Sequence, residues 1–145
     1  MRRFAILAAC AATGIFTWAH AEAQSDDEWV AVTDPQEVWQ LVSDRTLDGK
    51  SWRHFYRSDG NMAYYNVDTD AMSVRKWTVK DDGRFCVAVY EKPKSVIDCF
   101  TILEAEGSAG NYQLSWASGT DAFELIDGAP ENMAQAIDEV AGPAQ

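Results

Sequence analysis

The chain has 145 residues, 47% hydrophobic and 24% charged, proportions that fit one globular domain and exclude a disordered acidic tail. Lys and Arg number 12 against 23 Asp and Glu, a formal net charge of −11. That is the wrong sign for binding nucleic-acid phosphates or an anionic membrane surface.

Residues 1–23 have the three parts of a cleaved export signal. Arg2 and Arg3 give a positive start, Phe4 to Trp18 an apolar run, and Ala19-His20-Ala21 and Ala21-Glu22-Ala23 two small-x-small cleavage sites. The run falls short of the roughly 20 apolar residues a membrane-spanning helix needs. No later run approaches that length, so no transmembrane span is expected. Leu7-Ala8-Ala9-Cys10 has the form of a lipobox, but apolar sequence continues well past Cys10, which argues against lipidation there. Arg2-Arg3 lacks the surroundings of a twin-arginine signal. The expectation is a periplasmic or secreted protein, with residues 24–145 as a single β-rich domain.

In the exported chain, Asp34-Pro35-Gln36-Glu37 supplies an N-cap, Pro at the first helical position and an acid at the third. Val38, Leu41 and Val42 then predict a short helix to about Ser43. From Thr46 onward the pattern turns to period two. Seven strands are predicted: SWRHFYR, MAYYNV, MSVRKWTV, RFCVAVY, SVIDCFTIL, YQLSW and AFELI. Turns fall at Ser58-Asp59-Gly60-Asn61, Asp68-Thr69-Asp70, Lys80-Asp81-Asp82-Gly83, Glu106 to Asn111 and Ser118-Gly119-Thr120-Asp121. Pro130 opens a second helix with Met133, Ala136, Ile137 and Val140 on one face, ended by Gly142-Pro143. The fold class is mainly β (α+β): one antiparallel meander of about seven strands between a short N-terminal and a C-terminal helix. The meander either curls into a small barrel or stays an open sheet.

Cys86 and Cys99 are the two cysteines left after export. They flank a loop at Pro93. If Glu91 to Lys94 form that loop, Tyr90 pairs with Ser95 and Cys86 falls opposite Cys99, close enough for a disulfide. No C-x-x-C spacing marks a redox pair, so a structural bridge is expected.

The ordered set Gly49-Lys50-Ser51-Trp52, the Ser58-Asp59-Gly60 hairpin, Trp77, Asp82-Gly83-Arg84-Phe85-Cys86 and Asp98-Cys99-Phe100 resembles a group of small secreted proteobacterial proteins of unknown function. Their signature runs Trp, turn, Gly-x-x-Cys, then Cys-Phe, and the resemblance covers about residues 45–103. It implies a compartment and a fold but transfers no catalytic residue. The acidic C-terminal helix is no part of that signature.

Few residues could carry chemistry. His54 is the one histidine of residues 24–145, and with the two cysteines oxidised no zinc site can be assembled. Asn66, Asp68 and Asp70 begin like a calcium loop but lack its Gly and distal Glu. No metal or cofactor is expected. No nucleophile elbow, phosphate loop or dinucleotide fingerprint occurs. An Asp59-Gly60 two-residue turn sets His54 opposite Tyr65, with Trp52, Tyr56, Ala63 and Val67 on the same side. His54 is then either a core residue or a general base. Asp98, among apolar neighbours and opposite Val87, is the second catalytic candidate. Trp52, His54, Tyr56, Tyr65 and Trp77 are either core or the lining of a ligand pocket, with Arg53 or Arg75 at its rim to receive a carboxylate.

Charge is uneven along the chain. All ten basic residues of the exported chain lie within residues 45–94, and both ends are acidic. Three readings follow: a non-enzymatic periplasmic binding or accessory protein holding a small amphipathic or apolar ligand; a protein–protein module, an inhibitor or envelope assembly factor, offering its acidic helical surface to a basic partner; and an enzyme with His54 as general base.

Overall fold

A computed structural model describes residues 28–144. The expected export signal, its cleavage points and Cys10 lie outside the described residues. Among the described residues, nine strands and two helices follow in the order β1 (Trp29–Ala31), α1 (Pro35–Val42), β2 (Arg45–Gly49), β3 (Trp52–Tyr56), β4 (Asn61–Asn66), β5 (Ala71–Val79), β6 (Phe85–Val89), β7 (Lys92–Ala105), β8 (Tyr112–Trp116), β9 (Gly119–Asp127) and α2 (Glu131–Ala141).

Strands β2 to β9 form an up-and-down antiparallel meander. It closes because β9 pairs with β2, giving an eight-stranded barrel. The choice between barrel and open sheet is thus settled by β2, which the sequence pattern did not separate as a strand. The extra strand, β1, lies along β7 beyond the end of β6, with Ala31 opposite Leu103.

Alternation sorts each strand into an inner and an outer face. On β3, Trp52, His54 and Tyr56 point inward, to a core that includes Leu47, Phe85, Ile102 and Leu114. Phe55 points outward, yet it is buried too. Met133 and Ile137 of α2 cover it, together with Ala63, and burial of Phe55, Met133 and Ile137 contributes about 1.5–3 kcal/mol each. Covering both faces explains why β3 reads as an almost unbroken aromatic run.

Helix α1 starts as its sequence implies, with the Asp34 carboxylate accepting from the N–H groups of Gln36 and Glu37 at 2.8 and 3.0 Å. Its Val38 and Val42 join the interior cluster, and Trp39 stacks on Trp77 with ring centroids 4.7 Å apart. The helix therefore plugs the end of the barrel where β5 turns into β6.

Three local expectations are corrected. The β3–β4 loop has three residues, not two, because the Arg57 N–H reaches the Asn61 carbonyl and Gly60 takes a left-handed φ of 84°. His54 therefore faces Tyr64 rather than Tyr65. The β6–β7 turn is Tyr90-Glu91, with Val89 opposite Lys92, and two register shifts restore the pairing that places Cys86 opposite Cys99. Those two are joined in a disulfide, with Cα atoms 4.1 Å apart. The β8–β9 turn falls earlier, at residues 117–118, so that Gly119 to Asp121 belong to a strand. Among the described residues, no helix is long and apolar enough to cross a membrane.

Candidate functional site

The barrel end opposite α1 holds a partly open cavity of about 290 Å³. Trp52 and His54 come from β3, Met62 and Tyr64 from β4, Arg75 from β5 and Val87 from β6. Ile97, Asp98 and Phe100 come from β7, Leu114 and Trp116 from β8. Alternation along the meander aims them at one space. The exception is Ile97, the extra residue of the register shift between Val87 and Ala88. Such bulges occur at barrel rims and re-aim side chains. Strand β8 ends at Trp116, so no strand of the described residues lies beside the far edge of β7 before Thr101.

Trp52 is fixed on three sides. Its ring lies against Gly49, its N–H donates to Asp121 at 2.8 Å, and its centroid is 4.5 Å from that of His54. The Asp121 bond depends on the early β8–β9 turn, which brings that residue into a strand.

His54 sits deepest. Its Nδ1 and the Tyr56 hydroxyl are hydrogen-bonded at 2.8 Å, and Tyr64 and Phe100 meet its ring edge-on at 5.1 and 5.8 Å. Burial away from water, reinforced by the positive charge of Arg75, lowers its pKa to about 3. Burial also raises the Tyr56 hydroxyl well above its ordinary value, an effect Arg75 opposes. Both groups are therefore neutral at neutral pH. A general base works best with a pKa near the working pH, so this imidazole is better suited to hydrogen bonding than to proton abstraction.

Arg75 lays its guanidinium 4.9 Å over the face of Tyr64. Asp98 accepts the N–H of Cys99 at 2.9 Å through Oδ1. Neither takes part in an ion pair among the described residues.

The structure brings Trp52, His54, Arg75 and Asp98 together at the cavity. Tyr56 lies beneath His54 in the core. Trp77 is buried toward the plugged end, stacked on Trp39 and donating its N–H to the Arg57 carbonyl at 2.8 Å. Arg53 and Tyr65 face outward. Arg53 pairs with Asp48 at 2.7 Å, and the Tyr65 hydroxyl donates to Asp70 at 2.8 Å. Tyr64, Phe100 and Trp116 are lining residues that the pattern reading missed. A three-residue loop at Ser58 to Gly60 would have identified Tyr64, and inward alternation along β7 and β8 the other two.

Fold and site together define a closed antiparallel β-barrel, plugged at one end by a helix and holding an aromatic cavity at the other. Comparison with protein-family models, with curated proteins and with solved structures gave no match for this chain.

Proposed function

We propose that the protein is an exported, non-catalytic binding protein that holds a small amphipathic ligand in the open end of its barrel. The observation that carries this reading is the composition of the cavity wall. Trp52, Phe100, Leu114 and Trp116 offer an apolar enclosure, while His54, Tyr64, Arg75 and Asp98 offer a few fixed polar contacts. That combination typifies small-molecule sites, and 290 Å³ lies near the lower end of their size range. Small closed barrels can hold one such ligand. Export is supported by the character of residues 1–23 and by the resemblance to secreted proteins.

Trp52 and Trp116 provide the test, because both line the cavity. Titration with small aromatic acids, amines and alcohols should change tryptophan fluorescence saturably. Trp116→Leu should reduce the signal and weaken binding. Native mass spectrometry of protein from its own host should show a carried small molecule. No fluorescence response, no heat of binding to any probe and a bare mass would overturn the reading.

A further inference from the structure

We propose that the ligand carries both a carboxylate and an ammonium group, the first received by the Arg75 guanidinium and the second by the Asp98 carboxylate. This deepens the reading of the open end as a small-molecule site and rests on it.

The two side chains share one cavity but stand on different strands. Arg75 lies opposite Val89 and Asp98 opposite Val87, with β6 between them. Two strand spacings across the sheet and a two-residue offset along it put their backbones about 12 Å apart, and both side chains line the same cavity. The ion pairs of the described residues engage Arg45, Arg53, Arg57 and Arg84, and leave Arg75 and Asp98 unpaired. The Arg75 guanidinium carbon lies 4.9 Å over the centroid of the Tyr64 ring, and the guanidinium carries a fork of N–H donors with which to meet a carboxylate. Among the described residues Asp98 has one hydrogen bond, from the adjacent Cys99 N–H to Oδ1, and Oδ2 has none. The deeper wall, at His54 and Tyr56, is neutral at neutral pH.

Occupancy makes the two charges discriminating. An uncharged ligand would strip water from both without replacing its hydrogen bonds. A ligand with one charge would satisfy one and strand the other. Only a ligand of both signs compensates the two desolvation costs together. Selectivity of this kind arises as much from penalties on the wrong ligands as from attraction to the right one. The chemical class is a zwitterion with an aromatic or branched aliphatic body, of which an aromatic amino acid or a short peptide is the simplest form.

Calorimetry on the exported chain, residues 24–145, tests this with five probes. L-Phenylalanine and the dipeptide Phe-Gly carry both charges at different separations. 3-Phenylpropionate, 2-phenylethylamine and 3-phenylpropan-1-ol carry one charge or none. The better zwitterion should bind at least about tenfold tighter than any of the other three. Arg75→Gln should weaken the zwitterion and the carboxylate and spare the amine. Asp98→Asn should weaken the zwitterion and the amine and spare the carboxylate. Retained near-ultraviolet dichroism shows that each variant is folded, and Arg75→Lys should restore part of the lost affinity. Equal binding of the alcohol or of a singly charged probe overturns the inference and leaves the small-molecule reading standing. Failure of all five probes to bind removes that reading and this inference with it.

Discussion

The ring of Trp52 occupies the space that a side chain on Gly49 would need. Gly49 ends β2 and Trp52 begins β3, so this tight hairpin presents a large indole to the cavity over a residue with no Cβ. Gly49→Ala should push the indole off its Asp121 bond. Overpacking of this kind costs about 1–3 kcal/mol. Urea denaturation should show that loss, and Trp52 fluorescence should shift toward that of a wetter indole. Wild-type stability together with an unshifted spectrum would contradict the packing described.

His54 should make the fold sensitive to mild acid. An exposed histidine in the unfolded chain titrates near 6.5, whereas the buried ring stays neutral down to about 3. Between those values the unfolded state binds the extra proton, so stability falls as pH falls, by up to about 1.4 kcal/mol per pH unit. Asp59 and Asp82 are held below the usual carboxylate range, Asp59 by hydrogen bonds from Arg57 and Asn61 that outweigh its burial, and Asp82 by hydrogen bonds from Arg84. Their contribution is lost only lower, as pH falls below about 3.8. Urea midpoints measured from pH 6.5 to 4.5 should therefore fall less steeply for His54→Gln than for the parent. Parallel slopes would show that the ring is not buried neutral.

The Cys86–Cys99 bridge closes a short loop at the base of the β6–β7 hairpin. Loop-closure entropy assigns about 3 kcal/mol to a loop of this size. The double variant Cys86→Ser/Cys99→Ser should lose stability of that order. It should also bind cavity ligands more weakly, because Asp98 and Phe100 flank Cys99. A destabilised variant with undiminished affinity would separate the bridge from the site.

Arg57 ties α2 to the barrel. Its side chain, 7% exposed, donates to Asp59 at 2.9 Å, to Asp138 at 2.6 Å and to the Gly142 carbonyl at 2.9 Å. Arg57→Met should cost about 1–3 kcal/mol through the lost bonds and unpaired partners. Amide exchange should accelerate more in α2 than in β3. Equal acceleration throughout would mean that the clamp is not specific to the helix. Removing residues 128–145 outright would expose Phe55 and Ala63, so charge reversal at exposed Glu131 and Glu139 is the cleaner probe of that acidic face.

Some of this was readable residue by residue. The disulfide was legible because two strands flanking a short turn bring Cys86 opposite Cys99, although the turn is Tyr90-Glu91 and two register shifts are what restore that pairing. Helix α1 was legible because Asp34, Pro35 and Glu37 are local signals. Strand β2 was not separated from the run beginning at Thr46, because its pairing with β9 is long-range and its five residues include Arg45, Asp48 and Gly49. The pocket was half legible for a sharper reason. One residue in the length of the β3–β4 loop exchanges Tyr65 for Tyr64 at the cavity, since side-chain direction in a strand has period two. Local pattern names candidate aromatics, but register decides which of them face inward.

Closure through β9 has a consequence for how the chain reaches this shape. Arg45 meets Asp127, about 80 residues away, and β9 pairs with β8 and β2 at once. Up to that point the growing meander carries two raw edges, each able to recruit another chain. The entropy of closing so long a loop rises only with the logarithm of its length, but contacts this distant slow folding into the millisecond-to-second range. Closure is also late in chain order, because β9 is the last strand; α2 follows it and packs on β4 and β5. The container exists only with β9 in place, and a chain ending before Gly119 would leave β2 and β8 as open edges, an adhesive ribbon.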